Sequence, residues 1–301
     1  MILVIGEVLL DIFPDYTRIG GAPFNLAFHL TNLGFPTRLF SRVGDDSEGK
    51  LILDFLKENN FNLGDIQIDK KLKTGKVLIN MKPKGIPEFE ILRDVAYDQL
   101  EYKPIEQVVD NNRIDFICFG TLIQRTGKGF NALQKILNGK SNHTKTLFDV
   151  NLRPQCYNEV IIQSSLSKCN VLKLNNEEFE IIKKINDFNG SDQEFIKFLF
   201  EKYPLELVAL TRGEKGSSIY KPDHHVYVQF TGDKLTGKTV VDTVGAGDAF
   251  TAILAAGYLL KWPLKQMIEK ASQFAAKICT ISGAIPEDLS FYNEISNGVR
   301  S

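Results

Sequence analysis

Residues 242–250 read DTVGAGDAF. The β-formers Thr239, Val240 and Val241 lead into them, Gly245 and Gly247 stand two residues apart, and an apolar run starts at Ala249. That order predicts a strand, a tight turn and a helix start. Small residues at a helix entrance let backbone N–H groups approach a ligand, and first-turn amides have no intrahelical acceptor, so they suit an anion. Asp248 falls on the first helical turn, where a carboxylate could accept a proton from a hydroxyl attacking that anion. An acid at this place also complements the helix dipole, so the spacing alone leaves both roles open.

Around this turn lies an ordinary globular chain. Its 301 residues are 43% hydrophobic and 24% charged, which suits one α/β domain with an appendage. The formal net charge of -1 provides no basic field, so neither nucleic acid nor a membrane surface is an implied partner. Cys118, Cys156, Cys169 and Cys279 lie far apart and read as core residues in a reducing compartment, not as a zinc site or a disulfide framework. His29, His143, His224 and His225 show no ligand spacing. The opening MILVIGEVLLD reaches an acid at Glu7 and reads as a strand rather than a signal peptide. The longest apolar run, 249–260, is too short to cross a bilayer. A cytoplasmic enzyme is the expectation.

The apolar run 2–6 predicts a buried parallel strand. Asp11 interrupts the apolar residues that follow and is either solvent-facing on an edge strand or a ligand for hydroxyls. Gly20 and Gly21 precede a helix whose Leu26, Ala27, Leu30 and Leu33 recur at helical spacing. Residues 37–43 predict a strand and 47–60 an amphipathic helix. Runs 74–81 and 89–92 alternate about the turn KPKGIP, which predicts a β-hairpin between α/β units. After Asp98, short β-rich runs at 114–120, 146–150, 171–174 and 207–211 each precede a helical pattern, and 264–281 predicts a long helix. Such alternation argues a parallel sheet covered by helices on both faces, with the site outside the carboxyl ends of the strands, where these motifs fall.

DTVGAGDAF closely resembles the C-terminal signature of the ribokinase-like (PfkB) sugar kinases, and the resemblance extends from Ile2 to Pro286. It implies a three-layer α/β parallel-sheet sandwich in a single domain, 1–301. It also implies a small β lid, from segments near 12–20 and 72–98, that often pairs with a second subunit's lid, hence a homodimer. It implies that Asp248 is the catalytic base and that the amides of Gly245, Ala246 and Gly247 form the anion hole. GEVLLD is similar to the opening of fructokinase-like members, whose aspartate, here Asp11, binds the sugar. GGAPFNLAFHLTNLG resembles the N-terminal signature and puts Gly21 and Asn25 at the substrate, while His29 reads as packing. DVNLRP, 149–154, resembles a fructokinase and keto-deoxysugar-acid kinase element whose arginine, Arg153, faces substrate and phosphates, work that suits a guanidinium.

KLNNEEFEI carries the family's Asn-x-x-Glu as Asn175 and Glu178. The two could meet a hydrated magnesium ion, and they also have the spacing of a capping box. TRGEKGS resembles the nucleotide-binding T-x-G-x-x-G, giving Thr211, Gly213 and Gly216, and CTISGA places Cys279 at the adenine side. Asp242 is a position where relatives bind a monovalent cation such as potassium. GDKLTGKT, 232–239, satisfies the P-loop pattern, but a P-loop must open a helix and this run leads into β-formers, so it reads as a chance match. The chain is thus expected to be an ATP-dependent and magnesium-dependent sugar kinase. Fructose phosphorylated on its 6-hydroxyl leads, on GEVLLD, DVNLRP and VAYD (95–98) together. 2-Keto-3-deoxygluconate is the alternative, with Arg93 near the lid to meet its carboxylate, and a non-catalytic sugar sensor is the reading from another class.

Overall fold

Along β1 (Ile2–Ile5) successive side chains point to opposite faces, and both faces are apolar. Ile2 and Val4 pack into one core, Leu3 and Ile5 into another. Such a strand belongs in the middle of a sheet covered on both sides, which is where the computed structural model has it. Residues 1–82, 86–111, 114–222, 228–230 and 240–293 are described.

After β1 come β2 (Leu9–Ile12), β3 (Thr17–Gly20), α1 (Ala22–Asn32), β4 (Thr37–Gly44), α2 (Ser47–Glu58) and β5 (Ile66–Asp69). The expected hairpin is β6 (Lys76–Lys82) and β7 (Ile86–Ile91), paired antiparallel. The chain then runs through α3 (Lys103–Asn111), β8 (Phe116–Gly120), α4 (Gly127–Gly139), β9 (Lys145–Asp149), α5 (Glu159–Leu166), β10 (Val171–Asn175), α6 (Asn176–Ile185) and α7 (Asp192–Lys202). It finishes with β11 (Leu207–Thr211), β12 (Ser217–Tyr220), β13 (Val228–Phe230), α8 (Ala246–Leu259) and α9 (Leu264–Ile278).

Among the described residues the large sheet has the order β13, β12, β11, β10, β9, β8, β1, β4, β5. It is parallel from β5 to β11 and antiparallel through β12 and β13. Residues of α1, α2, α8 and α9 pack on one face, those of α3 to α7 on the other. This is the three-layer α/β sandwich expected from the alternation. The chain leaves β1 toward β4 and later returns to β8 on its other side, so the crevice beyond the ends of β1 and β8 is a topological switch point, the usual place for a ligand. A separate small sheet, in the order β3, β2, β6, β7, stands beside it.

Three local expectations are corrected. No strand leads into Gly245: residues 240–243 are irregular, and the amides of Val241 and Asp242 donate to the Cys279 carbonyl (2.8 and 3.3 Å) instead of to a neighbouring strand. β11 is followed not by a helix but by a return strand, because Gly213 and Gly216 adopt left-handed φ of 56° and 91° and the Arg212 amide closes on the Gly216 carbonyl at 2.8 Å. α9 ends at Ile278, three residues before the expected end, where the Cys279 amide closes the last turn. The P-loop-like run 232–239 lies outside the described residues.

His29 is packed in the core, as expected. It is buried on α1, its Nδ1 is 2.8 Å from the Tyr292 hydroxyl, its ring stands edge-on to Phe274, and burial pushes it down to about 3. Cys118, Cys156 and Cys169 are buried as free thiols and Cys279 is half-buried. Among the described residues no helix is long and apolar enough to cross a membrane.

Candidate active site

Gly245 is the N-cap of α8 with a left-handed φ of 78°, and a Cβ there would come within 2.4 Å of the Ala284 side chain. Conformation and space both demand glycine. The Ala246 amide turns back to the Thr243 carbonyl at 3.3 Å. Among the described residues the amides of Gly245 and Gly247 have no acceptor, and Gly247 faces solvent. The entrance to α8 is therefore an open, positively polarised end.

Asp248 is the third residue of α8, and its Oδ2 accepts from Nδ2 of Asn25 on α1 at 2.8 Å. Part of Asp248 still faces the cleft, yet enough protein surrounds its carboxyl to push it up to about 7. Burial leads this shift and the Asp149 charge adds to it, against Asn25, Lys173 and Arg153. Such a carboxyl can take and release a proton near neutral pH. The Asn25 side-chain oxygen, Oδ1, is buried and, among the described residues, unpartnered, an acceptor still unsatisfied next to Asp248.

Beneath the turn lies a buried ion pair. The Lys173 ammonium donates to Asp149 Oδ1 at 3.0 Å, and the other carboxylate oxygen accepts from the Thr251 hydroxyl on α8 at 2.7 Å. A Cβ on Gly247 would lie 3.2 Å from Lys173 Nζ, so the cation sits close beside Gly247. Burial alone would lower the lysine, but the Asp149 carboxylate, with Glu178 and Asp248 behind it, raises it above its ordinary value and keeps it charged.

Asn175 and Glu178 form a complete capping box on α6. Asn175 Oδ1 accepts from the Glu178 amide (2.9 Å), Glu178 Oε2 accepts from the Asn175 amide (2.7 Å), and Oε1 accepts from the Leu152 amide (2.9 Å). Burial raises Glu178 above the usual carboxylate range, with Lys173 opposing. Among the described residues no group of three His, Cys, Asp or Glu side chains could ligate a metal directly. With both Glu178 oxygens already engaged, the pair fits an ion reached through water rather than a bare one.

On the opposite wall, Glu7 follows β1 and is buried, pushed up to about 7 by burial and the nearby Asp248 charge, against its own backbone amide and the Arg153 and Arg125 guanidiniums. Asp11, on β2 of the small sheet, is pushed up to about 6 by burial, against Arg153 and Arg18. Arg153 thus stands among three carboxyls, and its guanidinium makes no hydrogen bond within the described residues. Gly21 (φ 110°) caps α1, where a Cβ would meet the Glu7 carbonyl at 2.6 Å, and a Cβ on Gly20 would meet Asp11 Oδ2 at 2.2 Å. Glu7, Pro23, Thr121, Asp149, Asn151 and Arg153 line a cavity of about 20 Å³. That admits a water or one polar group, not a sugar ring. Asn151 and Gln155 carry left-handed φ of 37° and 61°, so the loop bearing Arg153 is strained on both sides of it.

Thr211 ends β11 directly opposite Asn175 of β10. A Cβ on Gly213 would meet no protein atom within 4 Å, so its left-handed φ, and not crowding by the chain, calls for glycine. The Asp242 carboxylate accepts from the amides of Val244 (3.0 Å) and Gly283 (3.1 Å), which shapes the segment before the Gly245 turn. Past Cys279, a hollow of about 430 Å³ is lined by residues that include Ile281, Ser282, Ile285 and Phe291.

The structure therefore gathers Asp248, Asn25, Asp11, Gly21 and Arg153 around one crevice, with Asn175 and Glu178 behind it. Asp98 of VAYD does not reach it, being buried in a bidentate pair with Arg125 (2.6 and 2.8 Å). Sequence reasoning gave no role to Glu7, Asp149 or Lys173. Lys173 left one signal, a charge inside the buried run VLKL. DVNLRP, KLNNEEFEI and TRGEKGS stand at carboxyl ends of the large-sheet strands β9, β10 and β11, whereas Asp11, the Gly20–Gly21 turn and VAYD belong to or follow small-sheet strands, and the 242–250 turn and CTISGA follow no described large-sheet strand.

The family pattern described as pfkB family carbohydrate kinase matches residues 15–289. A 5-dehydro-2-deoxygluconokinase of Geobacillus kaustophilus is 25% identical over 265 residues, 86% of this chain and 78% of that one. A fructokinase of Salmonella typhimurium is 26% identical over 266 residues, 84% and 82% of the two chains. The crystal structure of an uncharacterized sugar kinase from Pyrococcus horikoshii superposes with a TM-score of 0.83 at 26% identity, covering 100% of this chain and 99% of that one. The same protein in complex with ATP gives 0.83 at 24% identity, covering 99% and 100%.

Proposed function

This chain belongs to the pfkB family of carbohydrate kinases, and we propose that it transfers the γ-phosphoryl group of ATP to the 6-hydroxyl of fructose with Asp248 as the base. One observation carries the assignment: a carboxyl poised at about 7, held by Asn25, on the third residue of a helix whose entrance amides are open. In this reading the sugar oxygen forms a bond to the γ-phosphorus, the bond from that phosphorus to the β–γ bridging oxygen breaks, ADP leaves, and the hydroxyl proton passes to Asp248. Transfer of this kind is mostly positioning and charge stabilisation. The Gly245 and Gly247 amides hold the moving group, the Lys173 ammonium supports them from behind, and Arg153 answers the remaining negative charge. Asp11, Gly21 and Asn25 bind the sugar. Thr211, Gly213 and Gly216 follow the nucleotide, with Cys279 at its base.

Magnesium, which neutralises phosphate charge when bound, fits Asn175 and Glu178 through water. Potassium at Asp242 stays outside the proposal, because both carboxylate oxygens already accept from backbone amides. A cytoplasmic location, where ATP is supplied, and a homodimer through the lid complete the reading. Phe89, on β7, supports the second point, being 55% exposed.

Fructose rests on the resemblance of GEVLLD and DVNLRP and on the fructokinase among the relatives. A sugar acid is the second reading, favoured by the unpaired Arg153 guanidinium and by the 5-dehydro-2-deoxygluconokinase relative. Arg93 is less available to it, since its Nη2 donates to Gln155 at 3.0 Å. ADP release measured over a panel of fructose, other hexoses and keto-deoxysugar acids decides. Turnover of fructose alone supports the first reading, turnover of an acid alone the second, and turnover of none sinks both.

A further inference from the structure

Arg18 lies on β3, at the edge of the small sheet, and reaches out of that sheet into the body of the protein. Its Nη2 donates to the Ser282 hydroxyl at 2.9 Å. Its guanidinium lies 4.7 Å from the ring centre of Tyr16, which stacks on Phe13 at 4.3 Å. A Cβ on Gly283 (φ 87°) would come within 2.7 Å of Nη1, so the backbone there is closed down onto the arginine. A stacked and crowded guanidinium keeps one orientation better than a free surface cation does.

What makes the contact informative is what stands at each end. On the lid side, Arg18 is directly opposite Asp11 in the β2–β3 pairing, and its charge is felt by that carboxyl. On the body side, Ser282 belongs to the segment that holds the anion turn in shape. Cys279 accepts from Val241 and Asp242, Gly283 donates to Asp242, and Ala284 packs against Gly245. One arginine therefore touches both the sugar carboxylate's strand and the support of the phosphate turn.

We propose that Arg18 is a positioning residue that couples closure of the lid over the sugar to the geometry of the anion turn, acting through Asp11 on one side and Ser282 on the other. This rests on the kinase reading above. Binding in one subsite then favours the arrangement that the other needs, and by linkage the effect is reciprocal.

The test is the affinity of the panel-selected sugar, fructose first, measured by calorimetry with and without a β,γ-imido analogue of ATP plus magnesium. In the parent the analogue should tighten the sugar by about fivefold or more, within the usual range for linked sites. In Arg18→Ala the ratio should fall to about one while each ligand still binds. Ser282→Ala, which removes one hydroxyl and tests the link without disturbing the sheet, should lower the ratio in the same direction. Arg18→Ala/Ser282→Ala should be no worse than Arg18→Ala, because the two residues share one contact. Arg18→Lys should restore part of the ratio. A residue that merely stabilises the lid would weaken both ligands and leave the ratio intact. An unchanged ratio in Arg18→Ala, additive effects in the double variant, or a parent that turns over the sugar without any coupling overturns the proposal. A parent that releases ADP with no sugar on the panel overturns the kinase reading itself, and this proposal with it.

Discussion

Helices α6 and α8 both enter the same crevice by their N-termini, and both carry an acid as their third residue, Glu178 on α6 and Asp248 on α8. Their environments separate them. On α6 the cap is Asn175, and the two side chains satisfy one another's amides, so the helix end is closed by its own sequence. On α8 the cap is Gly245, which has no side chain to offer, and the acid turns away to Asn25 on another helix. Two first-turn amides are left open, and the carboxyl sits at about 7. In the proposed reading the same position on a helix serves stability in one case and chemistry in the other, and the choice lies in the cap residue.

If that contrast is right, the largest effect falls on α8. Asp248→Asn should lower kcat by about 10²–10⁴ while sugar and nucleotide affinities stay near the parent's, because the amide cannot accept the proton. Near-parent turnover would break the contrast at its centre. The parent's rate should also fall as pH drops below about 7, where Asp248 holds a proton. The sign for stability is opposite. Between its unfolded value near 3.8 and about 7 the folded protein binds the proton more tightly, so this group's contribution is present at low pH and fades as pH rises through that window. Asp248→Asn should remove that slope from urea unfolding measured across the window.

Next is the ion pair that supports the open end. Lys173→Met leaves Asp149 buried without its cation and should lower stability by about 3–5 kcal/mol in urea unfolding. The Thr251 hydroxyl is then the carboxylate's remaining partner. A loss of turnover at temperatures where the variant is folded would sharpen the role given to the ammonium behind Gly247, and parent-like turnover there would confine Lys173 to structure.

A smaller effect belongs to α6. Asn175→Ala removes the cap and should lower stability by about 0.5–2 kcal/mol. If the pair also meets magnesium through water, the variant should need more magnesium for half-maximal rate. An unchanged magnesium dependence would leave α6 as a closed helix end and nothing more. The smallest effect is expected at the P-loop-like stretch GDKLTGKT, 232–239. Lys238→Ala should keep turnover within a few-fold of the parent. A folded but inactive variant would move phosphate binding away from α8.

How much of this was legible in the sequence follows the same division. The capping box, the glycine turn, the helix starts and the strand alternation are short-range features, and their spacing exposes them. The irregular lead-in at 240–243 was missed because Val240 and Val241 have strand propensity but, among the described residues, no neighbouring strand, and the Cys279 carbonyl holds their segment instead. The resemblance to the family placed Asp11, Asn25 and Arg153 at the substrate, but not what each of them touches.

By itself the sequence determined that an α8-like helix would begin at an open glycine turn with an acid on its first turn, and that α6 would begin with a self-satisfying pair. Tertiary structure alone decided that Asn25 would reach Asp248 across 223 residues of chain, and that Lys173 would lie under Gly247 with its charge held by Asp149 and Thr251. It also brought Arg18 to Ser282 across 264 residues. The reason is geometric. A backbone turn is set by residues a few positions apart, whereas a carboxyl's proton affinity depends on which strands and helices become neighbours. For Asp248 that environment is assembled only when β9, β10 and α1 close around the start of α8.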